Sequence, residues 1–280
     1  MKSPLGLTRR FVLFATPLFA SSAVALAPAE AATLALSTGQ ATLFNFSRSP
    51  DAGTSFADTD TDTDALGGRV NATANANANL LAEPPIGTNE TFSRVVGESV
   101  IGESTDYFGF ADSQAEVIGS FLIPGSTGKQ QFSFDFVGTL RLLTEIDDAH
   151  TESAQARGSI AFFLFDDTRP GERRLIDFFT VSGNLDTPGQ DDELEARSSR
   201  NFTFAEKSLN RKFGGLQEAA IADIQGSYAR TFELPTRLTL IEAKSNFATA
   251  EAVPEPSTMA AIAVSGVLGT IWKRRRNSHS

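Results

Sequence analysis

Apolar and polar side chains alternate strictly in several stretches of the chain. Residues 132–137 (FSFDFV) put Phe132, Phe134 and Phe136 on one side of an extended backbone and Ser133 and Asp135 on the other, the period-two signature of a half-buried strand. Residues 237–243 (RLTLIEA) alternate in the same way, and residues 201–204 do so briefly. Residues 158–165 (GSIAFFLF) are apolar nearly throughout, as a central strand would be, and residues 174–181 (RLIDFFTV) follow across a turn. Further strand signals lie at 41–46, 140–146 and 219–232. Pro124-Gly125-Ser126, Asp166-Asp167 with Pro170-Gly171, residues 186–192 and Gly214-Gly215 punctuate them as turns. Only at 209–222 does a short helix compete. The pattern predicts an all-β fold: an antiparallel two-layer β-sandwich, with a jelly-roll-like order as one form of it, and an antiparallel core over residues 120–248. Of 23 phenylalanines, 20 fall in the body of the chain, where they are expected to build that core.

Two stretches alternate without apolar residues of any size. Residues 71–79 (NATANANAN) predict a strand with one solvated face and one thinly packed face; no second copy exists, so a stacked repeat is not expected. Residues 58–64 alternate Asp and Thr. With no hydrophobic anchor and four like charges in seven positions, this tract predicts an acidic loop spanning 51–68. Asp58, Asp60, Asp62 and Asp64 are weak calcium candidates: an EF-hand-type loop needs Gly at its sixth position and Glu at its twelfth, and neither register supplies them.

The two ends differ from the body. Residues 1–31 read as a signal peptide. Lys2, Arg9 and Arg10 precede an apolar stretch broken by Pro17, and the small residues Ala29 and Ala31 form a cleavage site, with Ala27 and Ala32 as alternatives. The expected partners are an export translocase and signal peptidase; the general and twin-arginine routes both stay open. At the other end, Pro254 and Pro256 keep the backbone extended around Glu255. The apolar run 258–272 follows, then the basic tail Lys273, Arg274, Arg275 and Arg276. As a transmembrane helix the run would span about 22 Å, short against a hydrocarbon core of about 30 Å. The basic tail would hold the C-terminus on the cytoplasmic side and the body on the other.

The body, residues 32–252, holds 17 basic and 32 acidic residues, a net charge of −15. Such a domain repels nucleic acid and anionic membrane surfaces. With no cysteine, thiol chemistry and Cys-based zinc sites are excluded. His150 is the only histidine of the body and sits in a polar stretch, where a surface loop position is expected; no Gly-x-Ser-x-Gly elbow accompanies it. No phosphate-binding glycine loop is present. The single Trp lies at 272, and the only tyrosines are Tyr107 and Tyr228, which disfavours a sugar site of the aromatic-stacking type and leaves a hydrogen-bonding or calcium-assisted one open.

Val253, Pro254, Glu255, Pro256, Ser257 and Thr258, the apolar run and the closing Lys-Arg-Arg-Arg together resemble the PEP-CTERM sorting signal of bacteria that make exopolysaccharide. The resemblance covers 252–276 alone. It implies recognition by an exosortase, a membrane-embedded cysteine protease that cuts near the Pro-Glu-Pro. It also implies transient membrane insertion, then a place at the cell surface or in the extracellular matrix. It carries no fold or activity for the body. Two functions are compatible with these features. One is a non-catalytic surface or matrix protein associated with exopolysaccharide and needing no cofactor. The other is a secreted polysaccharide hydrolase working through paired carboxylates.

Overall fold

The computed structural model describes residues 32–66, 68–82, 85–99, 106–125 and 128–253. All of its regular elements are strands: β1 (Ala32–Phe44), β2 (Ala52–Ala65), β3 (Gly68–Ala82), β4 (Pro85–Ser99), β5 (Tyr107–Ile123), β6 (Gln130–Glu145), β7 (Glu152–Arg169), β8 (Glu172–Thr187), β9 (Glu193–Ser198), β10 (Phe202–Lys212), β11 (Gln217–Phe232) and β12 (Thr236–Ala252). They form two six-stranded antiparallel sheets. Sheet A runs β10-β11-β6-β1-β4-β3 and sheet B runs β2-β5-β12-β7-β8-β9. The sheets stack face to face as a sandwich. Twelve strands with four in-sheet hairpins distinguish this order from an eight-stranded jelly roll.

The alternation along each strand decides what lies between the sheets. Phe132, Phe134 and Phe136 point inward from β6 and meet Phe162, Phe179, Phe202 and Tyr228. A second, thinner cluster of Ala35, Val95, Ala111, Ala154, Ala248 and Ala250 fills the other half, with Ala72 and Ala74 of β3 packed on it. Between the two clusters lies a polar layer of Ser37, Thr91, Ser93, Ser113 and Asn246. Ser37 Oγ lies within hydrogen-bond reach of two acceptors, Arg157 O (2.6 Å) and Asn246 Oδ1 (2.8 Å), which share its one proton; Ser93 meets Ser113 (2.9 Å), and Asn246 donates to Thr91. Gly158 makes room for it: a Cβ there would stand 2.6 Å from Asn246 Oδ1.

Three expectations change. The 51–68 acidic stretch is not a loop; most of it is β2, the edge strand of sheet B, paired with β5 from Ala52↔Ser120 to Ala65↔Tyr107. Backbone pairing supplies what the side chains lack. The 209–222 stretch forms the β10–β11 hairpin, turned by Gly214 and Gly215 at φ of 80° and 100°. And only seven phenylalanines of the body are buried; most of the others lie on the outer faces of the sheets. The signal peptide over 1–31, Pro254 to Ser257, the apolar run 258–272 and the tail 273–276 lie outside the described residues. No helix among the described residues is long and apolar enough to cross a membrane.

The chain enters and leaves this domain side by side. Thr33 of β1 meets the hydroxyl of Tyr107 at 2.5 Å, and Ala252, the last residue of β12, is paired with both Tyr107 and Glu152. This terminal end is acidic, with Asp64, Asp106, Asp147, Asp148, Asp191 and Glu193 around it. The opposite, far end carries Arg48, Lys129, Arg173, Arg174, Arg200 and Arg237 together with Asp51, Asp166, Asp167, Glu172 and Glu233, several of them ion-paired.

Candidate functional site

Val253, the first residue of the expected sorting segment, is half exposed, and its N–H donates to Thr151 O at 2.8 Å. The ladder of sheet B therefore runs to the residue before Pro254. Ala29, Ala31, Pro254, Glu255, Pro256, Ser257 and Lys273 to Arg276 lie outside the described residues.

Asp58, Asp60, Asp62 and Asp64 share the outer face of β2, opposite Gln114, Asp112, Phe110 and Phe108 of β5. Residues two apart on a strand are nearly 7 Å apart, so the four carboxylates spread over about 20 Å rather than converge. Among the described residues no group of three metal-ligating side chains comes together. Replacing all four with Asn is expected to move the thermal midpoint upward or not at all, because it removes repulsion and breaks no contact. Deleting residues 58–64 should instead lower it by several degrees, since it removes half of an edge strand. Differential scanning calorimetry separates the two outcomes.

The inward carboxylates hold the sheets together. Asp177 of β8 accepts from Ser199 (2.6 Å), Asn201 (2.9 Å), Tyr228 Oη (2.9 Å) and Arg230 Nη1 (2.7 Å). Burial pushes its carboxyl up, but those four donors outweigh it and hold the pKa below the usual carboxylate value. Burial and the adjoining Asp177 push the Tyr228 phenol up. Glu218 accepts from Thr187 and from the Gly214 N–H (2.7 Å), and it meets the Asp192 carboxyl directly. Burial and that neighbour raise the Asp192 pKa. Hydrolytic carboxylate pairs instead stand about 5–9.5 Å apart across a sugar. Tyr107 is pushed up to about 12, mainly by burial. Glu242 and Lys244 form an ion pair on the inward face of β12; burial lowers the Lys244 pKa against the pull of Glu242. His150 is exposed in the β6–β7 turn, where its backbone N–H donates to Asp148 Oδ1 at 2.9 Å. An open cleft of about 510 Å³ lies beside the β2–β3 turn, lined by Thr63, Arg69 and Asn71 among others.

The outer face of sheet B carries a feature that the sequence reading missed. Seven phenylalanines point outward from it: Phe56, Phe108, Phe110, Phe163, Phe165, Phe178 and Phe247. In its far half, one register row crosses five strands as Thr54, Ile118, Ile241, Phe163 and Phe178. Phe165 and Leu175 form the next pair toward the far end. Arg173 lies over the Phe165 ring at 5.0 Å, and Arg237 sits opposite Leu122. The signal was present in residues 163, 165 and 178, whose neighbours 162, 164 and 179 already fill the inward phase.

The PEP-CTERM protein-sorting motif matches residues 252–276. No curated protein and no solved structure matches the chain. The motif implies recognition by an exosortase, with export and membrane anchoring before sorting to the cell surface.

Proposed function

We propose that this chain is an exported, non-catalytic surface or matrix protein. In this reading the sorting segment delivers it and its β-sandwich associates with exopolysaccharide outside the cell. The carrying observation is the position of the motif. It begins at Ala252, a residue still paired in the centre of sheet B, so the processing segment is joined directly to the folded domain. Support for a non-catalytic role comes from the buried carboxylates, whose hydrogen bonds go to neighbouring strands and turns. The carboxylate-pair hydrolase has no comparable observation in its favour.

The test is made in the native host. Changing Pro254, Glu255 and Pro256 to alanine should leave the precursor in the membrane fraction, uncut and slightly larger than the mature form. Mass spectrometry of the mature C-terminus reads the outcome. A wild-type protein still ending at Ser280, or normal cutting of the substituted chain, would defeat the sorting reading.

A further inference from the structure

A solvent face of a sheet is ordinarily polar in alternation with its buried face, and the far half of the outer face of sheet B is not. The row from Thr54 to Phe178 spans five strands, roughly 19 Å at the usual strand spacing. Within it Ile118, Ile241, Phe163 and Phe178, with Phe165 and the half-exposed Leu175 beside them, make an apolar band on a face that no described element covers, and Ser120 and Thr239 separate it from Leu122. Bands of this size on a monomer commonly mark a binding surface.

Three observations define the occupant. The band presents one side chain every strand, a spacing comparable with the length of one pyranose residue. A polymer lying across the strands would meet a ring or branched side chain under each of its own rings. Second, the far-end margin is lined by Arg173, Arg174 and Arg237 in a body that is otherwise strongly acidic. Arg173 gives Nε and Nη2 to Asp167 and Arg174 gives Nη2 to Asp166, yet their side chains are 52% and 73% exposed and keep further N–H donors. Guanidinium forks of this kind select carboxylates. Third, the band lies toward the end opposite Ala32 and Ala252, so a tail that holds the protein leaves it outermost.

We infer that this surface binds an extended, carboxylate-bearing polysaccharide. Sugar ring faces rest on Ile241, Phe163 and Phe178, and uronate groups reach Arg173, Arg174 and Arg237. The inference rests on the polysaccharide association proposed above and adds the site and the charge class of the polymer.

Affinity electrophoresis of the full-length protein in detergent, through gels containing polygalacturonate, dextran or polyglutamate, tests it. Polygalacturonate should retard the protein, while neutral dextran and ringless polyglutamate should not. The exposed double variant Arg174→Ala/Arg237→Ala should weaken retention on the order of tenfold, the loss of one or two charge-assisted hydrogen bonds. Phe163→Ala should weaken it as well, with circular dichroism verifying the fold. No retardation, equal retention by dextran or polyglutamate, or unchanged retention of the arginine variant would overturn the site. So would a concentration-dependent dimer, seen by sedimentation, that polygalacturonate does not displace; a second copy would then cover the face. Because binding is read directly on purified protein, its failure leaves the sorting result standing, and the reverse also holds.

Discussion

Asp177→Ala should produce the largest loss of stability of any single substitution in the domain. The carboxylate sits in sheet B, but Tyr228 and Arg230 lie on β11 of sheet A, and Ser199 and Asn201 belong to the β9–β10 connection. One side chain, 2% exposed, thus joins both layers and the turn between them. Its removal strands a buried phenol and a partly buried guanidinium, a change that typically costs about 3–5 kcal/mol. For a domain of this size that is a fall in melting temperature of about 10 °C or more. Asp177→Asn keeps one acceptor oxygen and should lose less. The lowered pKa sets the pH dependence. The folded carboxyl titrates below the unfolded one, so its stabilisation is fully present above the ordinary Asp value and drains away as pH falls through the folded pKa. Acid unfolding of Asp177→Asn should therefore begin from a lower plateau and show a shallower slope below pH 4 than wild type. Equal slopes for the two proteins would remove Asp177 from the account of acid stability.

The Glu242–Lys244 pair should give the second largest effect, with a pH signature of the same sign in the alkaline rather than the acid range. Both side chains are buried between the sheets. Glu242→Ala leaves a buried ammonium without its ion-pair partner and should destabilise by about 3–5 kcal/mol near neutrality, whereas Glu242→Leu with Lys244→Met should be neutral or stabilising. Burial lowers the folded Lys244 pKa below its unfolded value near 10.5. In the window between the two values the unfolded chain binds more protons, so stability climbs as pH rises towards 10.5. Without Glu242 the lowering should be greater and the window wider. Glu242→Ala should thus recover part of its loss between pH 7 and pH 10 in urea titrations. A constant deficit across that range would mean that Lys244 has found another counter-charge.

Much of the architecture was legible as phase. The inward phenylalanines of 132–137 and the apolar run 158–165 are central strands because both patterns leave few other places to put their bulk. The same phase, carried forward from Leu238 and Leu240, puts Glu242, Lys244 and Asn246 inside as well. Reading hydrophobicity rather than phase hides them. The Asp-Thr tract failed for a related reason: an edge strand with neither face buried has no hydrophobic signature, and its order comes from backbone bonds to β5, which are invisible in side-chain composition. The outward phenylalanines failed in the opposite direction. Composition assigns such residues to a core, and only register across four strands shows that Ile118, Ile241, Phe163 and Phe178 are neighbours on the outer face, each partly exposed.

The last strand has a mechanical meaning as well. β12 lies in the middle of sheet B, bonded along its whole length to β5 on one side and β7 on the other, and the chain leaves at its tip. Antiparallel ladder bonds stand perpendicular to the strand axis. A pull transmitted through the C-terminal segment, from a moving cell or a flowing medium, would run along that axis and load both ladders in shear, every bond resisting together. Peeling from a sheet edge would break them one at a time. A tether drawn from an edge strand such as β2 or β9 would unzip under drag. One drawn from β12 grips the whole sheet.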